Sequence, residues 1–180
     1  MHVVTSLLID AESGDIIVQK RSVDKGHNAG LIDKTLGGHI TYGDNPDYTV
    51  MVESVQELLT PSIVVDNDSD FDKVFKLLKP YIDTTAVILR KAVRPWRLKR
   101  QVGGQTREIT NIVNLYFGVY GGKMRPADGE ASGMLYYSLD QLEKEIAATP
   151  AAFTNDLIDL IREYRDEIVA FQNKIRSQTE

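Results

Sequence analysis

The chain has 180 residues, 42% hydrophobic and 26% charged, which allows one domain with a sizeable core and little room for a second. It has no cysteine, which excludes disulfides, a thiol nucleophile and Cys-ligated zinc, and its net charge of −5 argues against bulk nucleic-acid binding. No apolar run approaches the roughly 18 to 20 residues that span a bilayer, and MHVVTSLLID lacks a basic n-region, so a cytoplasmic protein without a membrane partner is expected.

In chain order, VVTSLLI (3–9) and IIVQKR (16–21) are β-rich runs, and Ser13-Gly14-Asp15 between them signals a hairpin. Residues 22–31 read as a polar loop, and LIDKTLGGHI (31–40) as a short strand running into Gly37-Gly38. A helix follows, with Asn45 or Asp44 as cap, Pro46 at its first position and Pro61 as its stop. Val52, Val55 and Leu59, flanked by Tyr48, Met51 and Leu58, suggest its buried face. Glu53, Gln56 and Glu57 share another stripe at i, i+3, i+4.

SIVV (62–65) is a short apolar run. The alternating Asp66, Asp68, Asp70 and Asp72 resemble a calcium loop but have Phe71 and Leu77 where glycine and glutamate are required. Helix capping explains them better. Two long β-prone runs joined by QVGGQ form a hairpin. Residues 90–108 within it carry +6, leaving −11 on the remainder, a pattern suited to one anionic ligand. MLYYS (134–138) is a strand, Ser138 or Asp140 opens a short helix, and a long helix is expected over about 150–176. Its stripe Leu157, Ile161, Tyr164, Ile168, Phe171, Ile175 suits core packing, with a homodimer seam as the alternative.

This order of motifs resembles the Nudix hydrolase superfamily. With Gly38 at the first glycine of its signature, Glu53 and Glu57 match outright and Asp44 conservatively. Val52, Gln56, Leu59 and Thr60 fall on the arginine, a glutamate, the final glycine and the final aliphatic, so the box is degenerate. The flanks QKRS, GLIDKTLGGHI and PADGEASGMLYYSLDQLEKE are similar to the family's surroundings of the box.

The resemblance implies an α/β fold, a single α/β/α sandwich over 1–180 around a mixed sheet. It also implies a metal-dependent hydrolase that cleaves a diphosphate linkage in a small nucleoside-diphosphate-type substrate, with Mg2+ (or Mn2+) as cofactor. Glu53, Glu57 and Gln56 would hold the metal, Glu53 and Glu57 would be catalytic, and Glu130 would assist as base, with Asp128 as fallback. Gly38 would let the backbone approach phosphate, Lys20 and Arg21 would meet phosphate with Arg94, Arg97 and Arg107 as further candidates, and Trp96 would stack on a base or pack on an arginine. The losses at 52 and 56 also fit a ligand-binding or regulatory protein of this fold. An isopentenyl diphosphate isomerase-like activity is more distant, because that family uses a cysteine. Without the flanks, Glu53, Gln56 and Glu57 would read as the wet side of an ordinary helix.

Overall fold

A computed structural model describes residues 1–102 and 105–179, with the side chains of 98–102, 105, 106 and 179 left aside. One mixed sheet runs through the molecule. Its strands are β1 (His2–Asp10), β2 (Ile16–Arg21), β3 (Ile32–Asp33), β4 (Leu36–His39), β5 (Ser62–Val65), β6 (Ala86–Val102), β7 (Gln105–Tyr120) and β8 (Ala131–Tyr137). The order along the main path is β3-β2-β1-β7-β6-β5, with β4 added to β1 and β8 to β2. β1 is central because it pairs antiparallel with β2 and β4 and parallel with β7.

The helices are α1 (Pro46–Leu58), α2 (Asp68–Leu78), α3 (Leu139–Ala148), α4 (Asn155–Glu163) and α5 (Arg165–Thr179). They fall on both faces of the sheet. Val50 and Leu58 of α1 pack with Val4, Leu8, Leu36 and Tyr116 on one side. Phe71 and Phe75 of α2, Leu142 of α3 and the α4–α5 stripe pack with Leu7, Ile9 and Phe117 on the other. This is the expected α/β/α sandwich.

Local chemistry accounts for the element starts. The Asn67 side chain accepts the Asp70 amide at the head of α2, so the aspartate run serves a helix start as expected. Ser138 and Gln141 form a full capping box on α3. The glycine pair expected to turn the β6–β7 hairpin lies outside the described residues, although the strands pair up to Val102 and Gln105.

Four expectations change. The run 31–40 is two short strands with different partners, and Gly37-Gly38 lie inside β4. The expected helix over 150–176 is a 3-10 turn at Pro150–Ala152 followed by α4 and α5. Phe153 bridges Ile32 in extended form, which delays the helix, and Tyr164 leaves helical geometry at φ −114, ψ 21, its ring edge-on to Phe117. The full stripe Leu157 to Ile175 is buried in this chain's own core, which removes self-association through it. Finally, α1 buries Thr49, Val50, Ser54, Glu57 and Leu58, while Tyr48, Met51, Val55 and Leu59 are exposed. Ser54 turns inward because it has a partner, its Oγ meeting Ser62 Oγ at 2.9 Å, and the backbone carbonyl of Glu57 accepts the Ala127 amide.

Candidate active site

Two segments converge at the β4 edge of the sheet. The first is α1, which delivers Glu53 and Glu57 one turn apart. Asn45, not Asp44, caps it, accepting the Asp47 amide at 2.8 Å. Asp47 then ties the helix start to the sheet, receiving both Arg90 of β6 and the Tyr116 hydroxyl of β7 at 2.8 Å. Sequence reasoning missed this anchor because its partners lie 43 and 69 residues away.

The second segment is the loop 121–130. Backbone bonds from Ala127 and Arg125 to the carbonyls of Glu57 and Leu58 stitch it onto the end of α1. Asp128 turns the chain by accepting the Glu130 amide, and the Glu130 carbonyl receives the Ser22 amide. The acidic loop is thereby carried to the glutamate helix.

The electrostatics at this junction favour protons. Glu57 is buried, and burial together with the neighbouring Glu53, Asp128 and Glu130 pushes its carboxyl up to about 9. Burial also raises Glu53, aided by Glu130 and Asp128 and opposed by its hydrogen bond with Glu57. Glu57 Oε2 is buried with no partner among the described residues. The Glu130 carboxylate is ion-paired with Lys25. Gln56, expected to join the pair, is exposed. Among the described residues no group of three or more His, Cys, Asp or Glu side chains forms a ready metal cage. Mg2+ often uses only one or two carboxylates and keeps its waters, so an oxygen-only pair such as this one still suits it.

Beside the junction lies a cavity of about 530 Å³. Of the residues expected to bind substrate, Gly38, Arg21 and Trp96 line it and Lys20 does not. Glu130 reaches it, and Glu53 stands behind Gly38. The absence of a side chain at Gly38 has a concrete reason: a Cβ there would overlap the Glu53 carboxylate. The cavity also holds Lys25, Lys34, His27 and His39. Sequence reasoning missed the buried network at its floor. Asp33 pairs with Arg21 and Lys34 at 3.3 Å each and accepts Thr154 Oγ1 at 2.7 Å. Burial opposes its charge, but Lys34, Thr154 and Arg21 outweigh burial and hold the carboxyl below its usual range.

The basic strip is less available than its charge suggested. Arg90 pairs with Asp47 and Asp66, Arg94 with Glu163 and Arg97 with Glu108. Arg94 also lies over Trp96 at 4.8 Å.

No family model matches the sequence, and no curated protein matches it. Solved structures match its shape. The MutT protein of Methanosarcina mazei Go1 superposes with a TM-score of 0.60 at 14% identity, covering 93% of this chain and 94% of that one. The NUDIX domain of Shewanella oneidensis NrtR, complexed with ADP ribose, gives 0.58 at 12% identity over 93% and 88%. A bifunctional NMN adenylyltransferase/ADP ribose pyrophosphatase of Francisella tularensis, complexed with AMP and a Mn ion, gives 0.57 at 12%. The match takes in 93% of this chain but spans 41% of that bifunctional protein. The chain has the Nudix fold.

Within the Nudix fold, the departures from the signature acquire structural meaning. Where the resemblance implies an arginine, Val52 is half-buried, and the Asp47–Arg90–Tyr116 anchor fixes the helix instead. Leu59, at the position of the signature's last glycine, adopts the left-handed conformation that glycine favours, with φ 51. No helix among the described residues is long and apolar enough to cross a membrane.

Proposed function

We propose that the protein is a divalent-metal-dependent hydrolase that cleaves the diphosphate linkage of a small nucleoside-diphosphate-type compound. One observation carries this reading: Glu57 is buried with an oxygen unpartnered among the described residues, Glu53 is its carboxyl neighbour, and Glu53 lies against Gly38, which lines a cavity that also holds Arg21, Lys25 and Lys34. Two clustered carboxyls that repel each other's charge are what a cation relieves. Glu53 and Glu57 would hold Mg2+ or Mn2+, with Asp128 and Glu130 close by. A divalent cation bound there would neutralise phosphate charge and favour attack by water.

The remaining work falls to the chain's own groups. Arg21 and Lys34, held by Asp33, offer fixed positive charge to the phosphates. Lys25 exchanges its partner Glu130 for a phosphate oxygen, which frees the Glu130 carboxylate to take a proton from the attacking water. Gly38 keeps Glu53 close to the cavity.

The test is hydrolysis of a panel of nucleoside diphosphate derivatives with Mg2+ and with Mn2+, followed by chromatographic detection of the nucleoside monophosphate released. Turnover should fall by about 100-fold or more in Glu53→Gln and in Glu57→Gln. Absence of turnover, with nucleotide-induced thermal stabilisation that survives both changes, would replace this reading by a second one. That second reading is a ligand-binding protein of the same fold, and the occupied Glu130 and the exposed Gln56 favour it.

A further inference from the structure

The β7 strand places alternate residues on one face, and Val113, Leu115, Phe117 and Val119 form a buried apolar row there. Asn111 continues that row. It is 1% exposed, yet it lines the cavity, and its carboxamide oxygen has no hydrogen-bond partner among the described residues. Its cross-strand neighbour is Trp96, which emerges on the same face with one side covered by Arg94. Arg21, which also lines the cavity, has no partner for its Nε among the described residues, while its Nη atoms are engaged by Asp33 and the His27 carbonyl.

A carboxamide in an otherwise apolar row is expensive when its oxygen is unmet. Valine or leucine would fill the same place at less cost. The cavity has room for a ring system, a wall of Trp96 and Val113 to pack it, and one unmet acceptor at that wall. We infer that Asn111 is the residue that selects the group attached to the diphosphate, accepting an N–H or O–H from a nucleoside-type moiety packed beside Trp96. This rests on the proposed diphosphate chemistry of the site but concerns the other end of the ligand. The donor is an exocyclic amine of the base or a hydroxyl of the sugar, and the ligand series separates the two.

The experiment is calorimetric titration of the intact chain, in chelator, with ADP, purine riboside 5′-diphosphate, 2′-deoxy-ADP and 3′-deoxy-ADP. In the unmodified protein, the analogue lacking the donor read by Asn111 should bind about tenfold or more weakly than ADP. Asn111→Leu should bind ADP with that same loss while leaving the weak analogue unchanged. Equal affinity for all four ligands overturns the inference even if the variant fails to fold. So does a uniform loss across the series in a folded Asn111→Leu, or the failure of every nucleotide to bind. Metal-dependent cleavage of a diphosphate lacking a nucleoside, with no nucleotide bound, would remove this inference and leave the diphosphate hydrolase standing. The selective binding pattern without turnover would do the reverse.

Discussion

Asp33 and Glu57 are two buried carboxyls, 3% and 5% exposed, and they are driven to opposite charge states. Asp33 sits among Arg21, Lys34 and Thr154 and is held ionised. Glu57 sits among Glu53, Asp128 and Glu130 and is held protonated up to about 9. Burial alone therefore decides neither state; the neighbours decide. The first cluster is electrostatically closed, while in the second Lys25 pairs with Glu130 and no ion pair to Glu53, Glu57 or Asp128 is seen among the described residues.

The comparison breaks most visibly at Asp33. Asp33→Asn leaves the buried Lys34 without its closest counter-charge and should destabilise the chain by about 3–5 kcal/mol in denaturant titration. A change below about 1 kcal/mol would show that Asp156 and solvent already satisfy Lys34. Next comes Gly38→Ala, whose Cβ needs the space of the Glu53 carboxylate. Because a flexible side chain can swing away, turnover should drop about 100-fold while the thermal midpoint moves by only a few degrees. Intact turnover would mean that Glu53 works from another rotamer.

The pH profile sharpens the contrast. Glu57 titrates higher in the folded chain than its ordinary 4.5, so the folded state holds the extra proton between the two values. Metal-free stability should fall as pH rises from about 5 to about 9. Glu57→Gln should flatten that limb and raise stability at pH 8 by about 2 kcal/mol. Asp33 works with the opposite sign: its contribution is present above the ordinary carboxylate range and is lost as pH falls through its depressed value. Unfolding curves in chelator from about pH 9 down into the acid range below the ordinary carboxylate value would expose both limbs, and a Glu57→Gln profile that parallels the parent would dissolve the distinction. The smallest effect is Leu59→Gly, two residues from Glu57 and in neither cluster. Relief of its left-handed backbone should stabilise the chain by about 1 kcal/mol at every pH.

Much of the fold was legible because its signals are local. The 13–15 turn, Pro46, a cap at Ser138 or Asp140 and the C-terminal stripe each act within a few residues. The inward side of α1 was not legible. Counting apolar residues selected Tyr48, Met51, Val55 and Leu59, which face solvent, because the buried side mixes Val50 and Leu58 with the polar Thr49, Ser54 and Glu57, and Ser54 is met by Ser62 from outside the helix. Of the candidate site, Glu53, Glu57 and Glu130 were singled out through the resemblance, because spacing alone left Glu53, Gln56 and Glu57 as the wet side of a helix. The Asp33 network and the Asp47 anchor were not, since both depend on partners tens of residues away. Asn111 did leave a signal: in EITNIVNLYFGVY it is the polar residue on the apolar side of a period-two pattern.

The contact between Gly38 and Glu53 makes the two positions one heritable unit. A descendant that loses the carboxylate at 53 is released from glycine at 38, and a descendant that acquires a side chain at 38 has already moved the carboxylate. Drift in this lineage should therefore leave a correlated mark, with glycine and glutamate kept together or abandoned together.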